Sequence, residues 1–146
     1  MSVDCFLDTN VLIYAVASDP AAAHKREAAM TLIERKDFAL SAQVLQEFYV
    51  TVTRKLEKPL SPVQAMEWIE QWEAFPCVGI DAALVKVAIE LSERYRISYW
   101  DAAVIAAAEL AGAEIVYSED LNDGQHYDRV MVRNPFFERG LVQDRA

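Results

Sequence analysis

Short apolar runs alternate with longer stretches of helical periodicity along this chain, and that rhythm restricts the folds open to it. Val3 to Leu7, Phe38 to Leu40, Cys77 to Ile80 and Glu114 to Tyr117 have the length and apolar content of buried strands, and Val130 to Val132 is a candidate fifth. Between the first two, Val11 to Ala17 reads as a short helix, and Asp19-Pro20 is an N-cap with a first-turn proline. The second helix is expected to run through about Lys36 with Ala22, Ala29, Leu32 and Ile33 turned inward. Ser41 caps a third, whose Val44, Phe48, Val52 and Leu56 recur every fourth residue before Lys58-Pro59 stops it. Ser61-Pro62-Val63-Gln64 supplies a cap, a first-turn proline and a capping-box glutamine, predicting a helix to about Ala74. Asp81 opens a helix to about Tyr95, and Ser98 opens another to about Ala111, closed by Gly112 at the left-handed position that follows many helices.

Crossover helices are the usual connection between parallel neighbours, so the alternation predicts a parallel sheet with helices on both faces. The expected fold is one α/β domain over residues 1–146, a three-layer α/β/α sandwich around a mostly parallel sheet of four to five strands. A chain of 146 residues is long enough for one core. No apolar run reaches the ~18 residues of a membrane span. The start, MSVDCFLDTN, has an acid where a signal peptide wants positive charge, so a cytoplasmic location is expected. Cys5 and Cys77 sit in apolar segments without metal-site spacing, and the simplest expectation is two buried free thiols rather than a zinc site. His24 and His126 have no triad-like partners in sequence and are expected at the surface or in caps.

Ligands of parallel sheets sit at strand carboxyl ends. Asp8 directly follows the first strand and Asp120 comes shortly after the fourth, so the fold would bring both to one edge. Glu47 lies about two turns into the third helix, and Asp101 opens the alanine-rich helix that leads into strand four. Each also has a structural reading: Asp8 as a helix cap, Glu47 as a solvated acid, Asp120 as a turn residue and Asp101 as part of a capping box begun by Ser98. Taken together the four make a different case. Two carboxylates ~4 Å apart repel by about 4 kcal/mol at an effective dielectric near 20, and a fold that gathers them needs compensation. Magnesium or manganese supplies it, since both favour carboxylate and water oxygens. The net charge of −9 weighs against a broad nucleic-acid surface, so any such contact must be local and metal-assisted, while the same charge suits a basic partner segment.

LDTN at Asp8, QEF at Glu47, SYWDA at Asp101 and YSEDLNDG at Asp120 resemble the four acidic motifs of PIN-domain nucleases, in order and over nearly the whole chain. The resemblance is nearest to VapC-like toxins of toxin–antitoxin pairs. It implies Mg2+-dependent endoribonuclease activity, with Mn2+ able to substitute, cutting structured RNA of the tRNA or rRNA class to leave a 5′-phosphate and a 3′-hydroxyl. It makes Asp8, Glu47, Asp101 and Asp120 the catalytic metal-binding acids, Asp123 a fifth near a second metal position, and Asn10 and Ser118 the polar residues that orient them. It also implies a homodimer and a cognate antitoxin whose C-terminal segment fills the active-site groove with Arg or Lys toward the acids. Arg54, seven residues after Glu47 and so on nearly the same helix face, is a candidate phosphate contact, with a solvated charge as the alternative. Trp68 and Trp72 are candidates either for those interfaces or for the core.

Two other classes remain open. LDTNV also resembles the nucleophile motif of haloacid-dehalogenase-like phosphatases, although these want a second aspartate two places on, where this chain has Asn10. In the other, the acid pocket is that of a non-catalytic interaction module that binds only a cation or a basic peptide.

Overall fold

In the computed structural model, residues 3–137 are described. The strands are β1 (Cys5–Leu7), β2 (Phe38–Ser41), β3 (Cys77–Val78), β4 (Ile115–Tyr117), β5 (His126–Tyr127) and β6 (Val130–Arg133). The helices are α1 (Thr9–Val16), α2 (Ala23–Glu34), α3 (Ala42–Arg54), α4 (Pro62–Trp72), α5 (Ala82–Tyr95) and α6 (Tyr99–Leu110), with a 3₁₀ turn at Pro20–Ala22.

One sheet carries the order β3-β2-β1-β4-β6-β5, parallel throughout except for the β5–β6 pair. The chain moves outward from β1 to β2 and β3, then returns to lay β4 on the other side of β1. Right-handed crossovers in opposite directions put α1–α4 on one face and α5–α6 on the other. The main helix contacts divide the same way: α1 with α2 and α3, α3 with α4, and α5 with α6. The strand order therefore reverses between β1 and β4, the place where open α/β sheets bind ligands.

Local chemistry sets most of the boundaries. Ser41, Ser61, Asp81 and Ser98 each accept a backbone N–H of the turn that follows, and Ser61 with Gln64 completes a capping box. Gly112, at φ +81°, follows α6 in the conformation that glycine adopts without strain. From Ala102 to Ala108 α6 is buried at every position, because its small side chains let it lie between the sheet and α5.

Several expectations need correction. The sheet has six strands rather than four to five: β5 is a two-residue antiparallel partner of β6 inside a segment read as turns, and two residues carry too little pattern to show. Strand three ends at Val78, not Ile80. The second helix does not begin at Pro20. Asp19 caps a separate 3₁₀ turn, and α2 starts at Ala23 and ends at Glu34. Helix three stops at Arg54 rather than near Lys58, because the chain folds back and the Leu60 N–H bonds the Val52 carbonyl. Leu56 still packs against the core, from outside the helix.

Cys5 is buried as expected, but Cys77 is exposed, since β3 is a two-residue edge strand with little above it. Trp72 is core, edge-on to Phe48 at 4.9 Å, and the half-buried Trp68 lies against it at 5.6 Å. Both histidines are exposed. Among the described residues no helix is long and apolar enough to cross a membrane.

Candidate active site

Asp8 ends β1 and caps α1, so its carboxylate is held at the sheet's carboxyl edge by the strand and by the helix start together. It is 6% exposed. One oxygen accepts the Thr9 N–H at 2.8 Å, and the other accepts from the Ser118 hydroxyl at 2.7 Å. Ser118 immediately follows β4 and is fully buried. Its oxygen also accepts from the Asn10 amide at 3.3 Å and the Asp120 N–H at 3.1 Å. Both of those partners are N–H donors, so the one hydroxyl proton of Ser118 has to point at Asp8.

Asn10 completes this half. Its amide nitrogen donates to the Asp120 carboxylate at 3.2 Å, and its carbonyl accepts the Glu119 N–H at 3.4 Å. Glu119 turns the other way, bonding Tyr14 at 2.6 Å and Lys25 at 3.0 Å, and so leaves the site to its neighbours in sequence.

The other two acids come from helices on opposite faces of the sheet. Glu47 is an exposed residue of α3, and Asp101 is half-buried in the first turn of α6. Between these helices stands Gln43, buried in α3, whose amide nitrogen donates to Glu47 at 2.9 Å and to the Trp100 carbonyl at 3.2 Å. Both partners are acceptors, which fixes the amide orientation. Sequence reasoning missed Gln43. The signal was its place four residues before Glu47, the spacing at which helix side chains meet.

Electrostatics ties the acids together. Burial pushes Asp8 up to about 6 from a usual 3.8, against the hydrogen bonds from Ser118 and Thr9, and the charges of Asp120 and Glu47 push it the same way. Burial also raises Asp101, opposed by Ser98, with the charge of Asp120 adding to the rise. Asp8 at the start of α1 and Asp101 in the first turn of α6 each lie at a positive helix end, which offsets part of the repulsion. Ser98 caps α6 by accepting the Asp101 N–H at 3.0 Å, so the capping reading of that segment holds at the backbone.

The remaining candidates stand apart. Asp123 accepts the Asn134 N–H at 2.8 Å and thereby fastens the loop after β4 to the end of β6. Arg54 is exposed in the last turn of α3. A cavity of about 350 Å³ lies elsewhere, between the end of α1 and the turn after α3; Ile13, Tyr14, Pro20, Leu56 and Lys58 are among its lining residues, and none of the four acids is.

Among the described residues no three His, Cys, Asp or Glu side chains form a ready-made metal cage. The donors of the four acids are all carboxylate oxygens, one of them buried and short of compensating charge, and that chemistry fits a hard divalent cation.

Known proteins share this architecture. A toxin–antitoxin complex from Klebsiella pneumoniae contains a chain that superposes with a TM-score of 0.67 at 20% identity, covering 91% of this chain and 98% of that one. VapC20 of Mycobacterium tuberculosis, described as a sarcin–ricin-loop-cleaving toxin, gives 0.64 at 23% identity over 80% and 90%. A DNA-bound VapBC from Salmonella typhimurium gives 0.62 at 16% identity over 91% and 98%. A comparison with curated proteins gives no match. The family model of the PIN domain matches residues 5–128, from β1 past β5, and the chain belongs to the PIN domain family.

Proposed function

We propose that this protein is a metal-dependent endoribonuclease, the toxin of a toxin–antitoxin pair, with Asp8, Glu47, Asp101 and Asp120 as its catalytic metal-binding acids. The observation that carries the reading is Asp8. A carboxylate this buried, with two other acids raising it further, is costly unless a cation shares the site. Mg2+, or Mn2+ in its place, would be held by these acids and, when bound, would polarise the scissile phosphate and lower the pKa of the attacking water. The chain's own residues do the positioning. Ser118 and Thr9 hold Asp8 in place, Asn10 holds Asp120, and Gln43 holds Glu47. Asp123 is kept as an outer acid near a second ion, and Arg54 as a phosphate contact beyond Glu47.

The toxin reading is supported by the company the fold keeps, in which VapC20 is named as a sarcin–ricin-loop-cleaving toxin and the Klebsiella pneumoniae structure is a toxin–antitoxin complex. A net charge of −9 fits storage with a basic antitoxin segment, whose Arg or Lys meets the acids and whose apolar part has room in the cavity beside α1. We infer a homodimer, a cytoplasmic location and RNA of the tRNA or rRNA class on the same grounds. A phosphatase is disfavoured because the position two beyond Asp8 is an amide already committed to Asp120 and Ser118.

The test is cleavage of RNA by the purified protein with Mg2+, repeated with Asp8→Asn and with Asp101→Asn. Each variant is expected to lose roughly a thousandfold or more in rate while keeping its circular dichroism spectrum. Equal cleavage by all three proteins would assign the activity to a contaminant. Unfolding of Asp101→Asn would make that residue a cap alone.

A further inference from the structure

Trp100 immediately precedes Asp101 in the first turn of α6 and is 67% exposed. The chain has three tryptophans, and the other two pack on the core. Exposure alone says little, but Trp100 is also held. Its carbonyl accepts the Gln43 amide that binds Glu47, and its ring meets that of Tyr99 at 5.1 Å and 82°, edge to face. A large aromatic surface is thus kept in solvent with its backbone fastened to the acid site.

A site made of carboxylates in a chain of charge −9 gains little affinity from the phosphates of a nucleic acid. An uncharged contact with a base avoids that difficulty, since stacking on an aromatic face needs no counter-charge and tolerates any base. Stacking requires the base to be out of a helix. We propose that Trp100 is the stacking platform for an unpaired base next to the phosphate presented to Asp101 and its companion acids. This rests on the ribonuclease reading above.

The test uses full-length protein carrying Asp8→Asn, which binds without cutting, and a short fluorescein-labelled RNA, either single-stranded or annealed to its complement. Adding Trp100→Ala is expected to weaken single-strand binding roughly ten- to a hundredfold, with little change for the duplex. Adding Trp100→Phe should restore most of the loss, because a ring remains. With Asp8 intact, Trp100→Ala should raise KM for the single strand and spare kcat. Unchanged single-strand binding, an equal loss for both RNAs, or no rescue by phenylalanine would overturn the proposal. A shift of Trp100→Ala to a smaller species on size exclusion would overturn it too, by making the indole a contact between protein chains. If the wild-type protein shows no Asp8-dependent cleavage, the ribonuclease reading itself falls. If it does, and Trp100→Ala binds like its parent, only the stacking role falls.

Discussion

The acid site has two unlike halves. At the ends of β1 and β4, Asp8, Asn10, Ser118 and Asp120 are joined by a continuous set of hydrogen bonds built on parallel strands. Glu47 and Asp101 are brought instead by helices on opposite faces, with the Gln43 amide reaching from one helix to the other. Strands in fixed register place their ends to within a hydrogen-bond length. Helices packed through side chains leave more freedom. The strand half therefore holds its buried charge at a cost in stability, while in the helix half Glu47 is exposed and Asp101 only half-buried.

The largest expected effect tests that cost. Asp8 has a folded pKa of about 6 against 3.8, so the folded state holds its proton more tightly than the unfolded chain does. The sign follows: this group favours the fold below about pH 4, loses that contribution as pH rises toward about 6, and leaves the protein weaker by on the order of 3 kcal/mol above it. Asp8→Asn should flatten that fall and, after the loss of one charge-assisted hydrogen bond, raise stability at neutral pH by roughly 1–2 kcal/mol. Mg2+ should stabilise the wild type at neutral pH and do far less for the variant, since it binds the ionised form. Urea unfolding across pH 4–8 measures all three. A variant that melts lower than the wild type at pH 7 would mean that Asp8 serves the fold before the chemistry.

A paired substitution then compares the halves directly. Ser118→Ala removes the donor to Asp8 and the acceptor for Asn10 and the Asp120 N–H inside the protein, so it should cost about 2 kcal/mol of stability and roughly a hundredfold in rate. Gln43→Ala loosens an exposed carboxylate and one backbone carbonyl, so stability should fall by about 1 kcal/mol or less and rate by roughly tenfold. Equal stability losses would erase the distinction between the halves.

What the sequence disclosed follows the same division. Caps at Ser41, Ser61, Asp81 and Ser98 act within three residues, so they were readable, and so was the placement of Asp8 and Asp120 beyond the carboxyl ends of parallel strands. The β5–β6 pairing, the early end of α3 and the solvent at Cys77 depend on what folds back over each segment, which local pattern does not carry. Gln43 lies between these cases. Its spacing to Glu47 was visible, but its second partner, the Trp100 carbonyl, is 57 residues away.

The smallest effect belongs to Arg54, at the far end of the helix half. Seven residues along α3 from Glu47 bring it back to nearly the same face about 10 Å away, within reach of a phosphate further along a bound strand. It is exposed in the last turn of α3, where a positive side chain also suits the helix carbonyl end. If it holds a phosphate, Arg54→Ala should raise KM for single-stranded RNA by roughly threefold, leave kcat unchanged, and reduce the slope of log affinity against log salt by about 0.7. A solvated charge would give none of these and would shift the melt by no more than about 0.5 kcal/mol. The salt slope decides, because it counts phosphates neutralised rather than the general field of an acidic protein. An unchanged slope would confine substrate contact to the acids and their immediate neighbours.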